Sequence, residues 1–458
     1  MEYISTRGEA PVLDFKQATL AGLAEDGGLY LPKVWPSLST DNIRKLRGMD
    51  YPTLAVEIMQ HFTGDCIQSS TLATLAGRAY RGFHHDAVAP IKQLDNNLFF
   101  MELFHGPTLA FKDFALQFLG QLFDHFLRQN NARCTIVGAT SGDTGSAAIE
   151  GVRGLDAVEL FMLHPAGRVS EVQRRQMTTI TDKNIHNLAV AGTFDDCQSM
   201  VKAMFNDPVF RKKHSLSAVN SINWARIAAQ VVYYFWAALS LGAPDRAVNF
   251  SVPTGNFGNI LAGYIAKKMG LPINRLIIGS NRNDILTRFF QTGCMEQTGV
   301  HPTLSPSMDI QISSNFERYL FELFSRNHEE LNRCMIELNR DGKFSIDTTT
   351  LNKAQQDFSA HRFCDEKISD EIRRIYQSSG EIIDPHSVIG VAAANAENDN
   401  TAPTIVVGTA HPAKFPDAVK NAIGVNIPLP AHLGDLLTKK EKMTTVENDV
   451  EKVKAIVG

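Results

Sequence analysis

From about residue 95 onward, short apolar runs rich in β-formers alternate with longer segments of helical spacing, which leaves the chain few architectures. The strand candidates are 97–104, 134–139, 158–164, 185–192, 247–253, 275–280 and 404–409. Helical patterns fill 110–129, 145–152, 195–206, 222–241 and 258–269 between them. Such alternation predicts an α/β fold around a mainly parallel sheet. Continuous apolar strands agree, because a parallel sheet is covered on both faces.

The flanks read differently. Residues 1–90 are turn-rich, with helical segments around 40–62 and 69–81, and form an N-terminal accessory lobe in this reading. The catalytic region is then 91–430, with lobes of roughly 91–245 and 246–430. The charged stretch 310–375 is expected to be a helical insertion. Residues 431–458 form a tail, either a polar amphipathic helix or a frayed end.

Composition narrows the partners. A hydrophobic content of 44% over 458 residues is ample for a large core. A formal charge of −4 offers no general basic field for nucleic acid or an anionic membrane. The six cysteines lack any C-x-x-C pair, as expected for reduced thiols in the cytoplasm. The N-terminus lacks a basic segment followed by an apolar run, so no secretory signal is expected. The longest apolar stretch, 227–242, is shorter than the ~20 residues a bilayer requires and reads as a buried core helix.

Five motifs carry chemistry. In HGPTLAFKDFALQFL (105–119), Lys112 sits beside an aromatic helical stripe. Its stem can snorkel over Phe111, or its amine can be a nucleophile of lowered pKa in an apolar pocket. In GATSGDTGSAA (138–148), small residues between strand and helix suit an anion site at a helix start. The tripeptide Asp143-Thr144-Gly145 also occurs in aspartic proteases, but there is no second copy to complete a carboxylate pair. SVPTGNFGNILAGY (251–264) is either a phosphate cradle or a plain glycine-rich turn. In NSINWARIAAQ (220–230), either Asn220 or Ser221 caps the helix while Arg226 pairs with a carboxylate, or Asn220, Ser221, Asn223 and Arg226 seat a phosphate. VVGTAHPAKF (406–415) ends an apolar strand at Thr409, where α/β sheets place ligands. For metals, FHHD (83–86) and NHEE (327–330) lack ligand spacing, and no metal is expected.

A reactive lysine with two glycine-rich anion loops suggests a phosphorylated carbonyl cofactor, and pyridoxal 5′-phosphate fits that description. At this point the chain resembles the threonine synthase family of the bacterial and fungal long-form type. HGPTLAFKDFALQFL, GATSGDTGSAA, NSINWARI, VPTGNFGN and TAHPAKF occur in the family's order. AEDGGLYLP and HPAGRVSEVQRRQMTT extend the match over nearly the whole chain. The resemblance implies the type II pyridoxal-phosphate fold, like the tryptophan synthase β chain. It also implies conversion of O-phospho-L-homoserine and water to L-threonine and phosphate.

Carried over residue by residue, the resemblance makes Lys112 the catalytic lysine that joins the cofactor as a Schiff base. Gly255, Asn256, Phe257, Gly258 and Asn259 would hold the cofactor phosphate, and Thr409 would face the pyridine nitrogen. Thr140, Ser141 and Thr144 would take the substrate carboxylate, and Asn220, Ser221, Asn223 and Arg226 its phosphate. Asp143 would lie beside the cofactor's 3′-oxygen, where many relatives in the wider fold carry Asn. A carboxylate next to a phenolate needs a proton or another partner. Another type II lyase, or a relative that binds without turnover, are the alternatives. Monomer and homodimer are left open.

Overall fold

The computed structural model describes the chain except residues 398 and 400. Two sheets organise it. One has six strands in the order Phe358–Arg362, Ile273–Ser280, Val248–Pro253, Thr404–Gly408, Leu98–Glu102 and Ile91–Asp95. Its neighbours run parallel except the last pair, where Ile91–Asp95 is antiparallel. The other has five parallel strands in the order Thr444–Val446, Ile185–Val190, Val158–Pro165, Cys134–Ala139 and Leu216–Ser217. The predicted α/β class with mainly parallel sheets is the observed one.

The central strands are buried along their whole length, as in Val248–Pro253 and Thr404–Gly408. Helix Ser387–Glu397 packs against the six-stranded sheet, and Trp224–Ser240 packs on Gly258–Lys268. The apolar stretch 227–242 is therefore core, and among the described residues no helix is long and apolar enough to cross a membrane.

Several expected elements change. The stretch 310–375 is not purely helical: Phe358–Arg362 adds an edge strand to the six-stranded sheet, and Lys343–Ser345 pairs with Cys294–Glu296. Each is short, and its pairing partner is distant in sequence, so periodicity alone is silent. The tail is no frayed end. Thr444–Val446 pairs with Leu188–Val190, and helix Val450–Val457 packs on Phe194–Asn206, with Lys454 3.0 Å from Asp207. Strands Ile91–Asp95 and Leu216–Ser217 were not expected from the pattern. At the N-terminal end, Tyr51 sets its ring edge-on against Phe114 and Trp236, so the first 80 residues share the main core.

One packing contact aims the site. Helices Lys112–Gln129 and Asp143–Val152 cross at Gly120 and Gly151, each eight residues past its helix's first residue. A Cβ on Gly120 would overlap the Gly151 carbonyl oxygen, so only glycine permits this approach. The close crossing brings the two helix starts, with Lys112 and Asp143, to one point.

Gly120→Ala is expected to destabilise the chain by about 3 kcal/mol, because the obstructing atom is backbone. Gly77→Ala, in helix Ser69–Tyr80 with nothing within 4 Å, should instead stabilise by about 0.5–1 kcal/mol. Urea denaturation of both variants checks the contrast.

Candidate active site

Lys112 opens its helix where two strands end. Ala110 bridges to Ala410, the Phe111 N–H donates to the Thr409 carbonyl at 2.9 Å, and the His411 N–H donates to the Leu109 carbonyl at 3.0 Å. These bonds join the first and last motifs, about 300 residues apart. They also fix the start of the lysine's helix on the sheet.

Asp143 faces Lys112 from the neighbouring helix start. Its Oδ2 lies 3.1 Å from Lys112 Nζ and accepts from Ser307 Oγ at 3.2 Å. Its Oδ1 lies 2.8 Å from Lys414 Nζ and accepts from Gln173 Nε2 at 2.8 Å. Burial pulls the carboxyl's pKa up, but Lys112 and Lys414 outweigh it and hold Asp143 well below the usual carboxylate range. The protease reading of its tripeptide fails here, because the partners are ammonium groups rather than a second carboxyl. Burial also pushes the Lys112 amine down, Asp143 opposes this, and the charges of Lys414 and Arg226 add to the lowering. Lys414 is fully buried and spends its ammonium on Asp143 and, at 2.8 Å, on the Thr108 carbonyl. The Lys112 side chain keeps 12% exposure, so of the two lysines it is the one a ligand can reach.

The glycine loop links strand Val248–Pro253 to helix Gly258–Lys268. Phe257 takes a left-handed φ of 61° at the N-cap, a costly backbone for a bulky residue. Its ring is buried among Phe316, Tyr319 and Phe358, which holds it there. The N–H groups of the first helical turn have no partner four residues back and are ready for an anion. Segment 305–315 covers the loop. Ser313 Oγ donates to the Gly255 carbonyl at 2.7 Å, and the Asn315 N–H donates to the Asn256 carbonyl at 3.1 Å. A Cβ on Gly255 would stand 3.3 Å from Met308 Cα, so the cover is close. Asn259 Oδ1 accepts from the hydroxyls of Tyr233 and Tyr234, while its buried Nδ2 has no partner among the described residues.

The other expected site residues divide into tied and open groups. Thr140 Oγ1 accepts from the N–H groups of Gly142 and Gly145, shaping the loop from within. Ser141 is exposed and Thr144 half-buried. Asn223 is wholly buried and committed: it caps helix Trp224–Ser240 through the Ala225 N–H and donates to the carbonyls of Thr19 and Ala218. Asn220 is exposed and Ser221 half-buried. Arg226 is buried, with Nη1 on the Val219 carbonyl and Nε without a partner among the described residues. No carboxylate pairs with it among the described residues, so the ion-pair reading fails, and the cap is Asn223 rather than Asn220 or Ser221. Thr409 is buried, its N–H donating to Ser387 Oγ and its Oγ1 3.3 Å from that hydroxyl.

Sequence reasoning missed Lys414, Gln173, Ser307 and Arg318. Lys414 and Gln173 lie inside stretches quoted for other reasons, and nothing in TAHPAKF marks its lysine as buried. Arg318 looked like one charge in a polar helix. It is fully buried, stacked on Trp224, and donates to Asn315 and to the carbonyls of Tyr30 and Ile222. It thereby joins the N-terminal lobe, the 220–223 turn and the cover of the glycine loop. FHHD and NHEE form no ligand group with a third donor among the described residues.

Chemically, the site offers an amine of lowered pKa, unused donors and three basic groups around the Asp143 carboxylate. That set fits ligands bearing an amine-reactive carbonyl and phosphate groups.

Three family models match the chain: the threonine synthase N terminus over residues 2–80, the pyridoxal-phosphate dependent enzymes over 86–338, and the threonine synthase C-terminal region over 387–457. The threonine synthase of Pseudomonas aeruginosa is 52% identical, over all of this chain and 98% of its own. The structure of PLP-bound threonine synthase from Brucella melitensis matches with a TM-score of 0.98 and 54% identity, covering 100% of this chain and 98% of that one. The yeast threonine synthase structure matches at 0.94 and 44% identity, over 100% and 98%.

Next to Lys112, the buried carboxyl of Asp113 is pushed up to about 6, mainly by burial, although it accepts from the N–H and hydroxyl of Thr108. Its folded pKa lies above its unfolded one. Its contribution to stability is therefore complete below about pH 4 and is lost as pH rises through about 6, a change of the order of 2–3 kcal/mol. Urea denaturation across this range should show the slope in the native chain and its absence in Asp113→Asn.

Proposed function

The chain belongs to the threonine synthase family, and from that premise we propose the reaction and the residues that perform it. The protein is a pyridoxal-phosphate enzyme of fold type II and acts as a threonine synthase. We read the reaction as the conversion of O-phospho-L-homoserine and water to L-threonine and phosphate by β,γ-replacement, a carbon–oxygen lyase acting on phosphates. The observation that carries the site reading is the accessible, charge-depressed Lys112 amine facing Asp143 amid excess positive charge.

The residues fit the cofactor. Lys112 would meet its aldehyde, and the first-turn N–H groups after Gly255, Asn256 and Phe257 would take its phosphate, with Gly258 and Asn259 opening the helix. Thr409 would face the ring nitrogen, and Asp143 the 3′-oxygen. Arg226, whose Nε has no partner among the described residues, would hold the substrate phosphate with Asn220 and Ser221. Asn223, fully committed as a cap, would position that turn rather than touch substrate. Ser141 and Thr144 would meet the substrate carboxylate on a loop that Thr140 shapes.

Bound pyridoxal phosphate supplies an aldehyde for amines and a ring that accepts the electrons left when a Cα proton departs. The chain's own residues do the rest. The Lys112 amine, whose charged form burial and the neighbouring cations disfavour, removes the proton at Cα and then works at Cβ. Arg226 neutralises phosphate as it leaves Cγ, and the closed cover at 305–315 restricts water until it adds at Cβ. Six free cysteines support a reducing cytoplasm as the setting.

Phosphate release from O-phosphohomoserine with threonine as co-product tests the reaction. If serine or threonine deamination appears instead, another type II lyase is the answer. Lys112→Ala should lose the borohydride-fixable pyridoxal while remaining folded, and an adduct surviving on another lysine would refute the assignment. Arg226→Met should lower kcat/KM for O-phosphohomoserine by about ten- to a few hundred-fold while barely changing serine binding.

A further inference from the structure

Lys414 has no counterpart in the roles assigned so far, yet its side chain is wholly buried in the site. Its ammonium stands between two acidic groups. It touches Asp143 directly at 2.8 Å, and it reaches Asp113 through Thr108, whose carbonyl it binds and whose N–H and hydroxyl Asp113 accepts. Both acids flank Lys112, one on the facing helix start and one in the next position of its own helix.

We propose that Lys414 is a positioning residue that serves as the permanent countercharge of Asp143, leaving Lys112 free to give up its own charge. This rests on the reading of Lys112 as the cofactor lysine.

The argument is electrostatic. A nucleophilic amine must be neutral, but a buried carboxylate 3.1 Å away holds it as ammonium. If Lys112 were the only cation beside Asp143, neutralising it would strand a buried anion, among the costliest states in a protein interior. With Lys414 fixed on the other oxygen, Asp143 stays paired whatever Lys112 does. Gln173 and Ser307 complete its hydrogen bonds. The charged groups facing Lys112 are Asp143, Lys414 and Arg226, and the last two both disfavour its ammonium form. The arrangement also explains how the chain tolerates a carboxylate where the wider fold often carries a neutral amide: the lysine supplies the partner that the carboxylate needs. Its location suits the task, for a fully buried side chain with its ammonium engaged on two oxygens cannot wander into the ligand space.

The test uses the full chain with pyridoxal phosphate as probe. Borohydride-fixed adduct at Lys112 is mapped by mass spectrometry as a function of pH, and melting temperature is read alongside. Four forms are compared: wild type, Lys414→Met, Asp143→Asn and the double variant. Lys414→Met should move the midpoint for capture at Lys112 up by about one pH unit or more, with about tenfold less adduct at neutral pH. The double variant should return most of both, because a neutral amide no longer needs a countercharge. Where Lys414→Met melts too early to be assayed for capture, recovery of both melting temperature and capture at Lys112 in the double variant supports the proposal. A wild-type midpoint in Lys414→Met, or a double variant no better than Lys414→Met in capture or melting, overturns it and reduces Lys414 to a tie on the Thr108 carbonyl. A wild-type adduct on a different lysine would instead overturn the reading of the site itself.

Discussion

Asp143 held between two ammonium groups is the interaction on which the rest of the site depends. A buried carboxylate is stable only if paired, and its two partners come from opposite ends of the chain. Because its oxygens are divided between Lys112 and Lys414, the carboxylate fixes the distance between helix starts and orients the lysine that a ligand can reach. The glycine crossing at Gly120 and Gly151 is the packing solution to the same requirement. Neither would suffice alone: the crossing sets where the backbones lie, and the carboxylate sets where the ammonium groups end.

Beyond that pair the site is deliberately unbalanced. Lys112, Lys414 and Arg226 set three basic groups against the carboxyls of Asp143 and Asp113, and Arg226 keeps a buried donor without a partner among the described residues. Burial presses the Arg226 guanidinium down to about 10, a measure of how poorly its surroundings solvate it. Such cations are expensive to leave alone and gain most from a dianion that arrives already desolvated. Two phosphate-bearing ligands, cofactor and substrate, are what such a surplus suits.

Much of this was legible in the sequence because glycine-rich turns and strand ends announce themselves locally. The strand and helix around Gly255–Asn259, the buried helix after Asn223 and the α/β class all follow from patterns a few residues long. What escaped depends on partners far away. Phe358–Arg362 is a strand only because Ile273–Ser280 offers it an edge, and the tail is ordered only because Ile185–Val190 does. Arg318 and Lys414 have no local signature at all; a lysine or arginine in a polar stretch reads as surface until its burial is seen. Asn223 shows the reverse difficulty, since a cap and a ligand share the same residue type and only the committed hydrogen bonds distinguish them.

The cross-chain tie from Lys414 to Thr108 and Asp143 has a consequence for biogenesis. A ribosome adding ~5–20 residues per second needs roughly 15–55 s to travel from residue 143 to residue 414. Throughout that interval the nascent chain carries Asp143 without its second cation, and the edge of strand Ile185–Val190 waits nearly as long for Thr444–Val446. The five-stranded sheet can pair its inner strands early, but the charge cluster has no stable arrangement until the last seventh of the chain emerges. Assembly of the site is thus a late, post-translational event, and the stalled intermediates would expose an unpaired sheet edge to which holdase chaperones could bind.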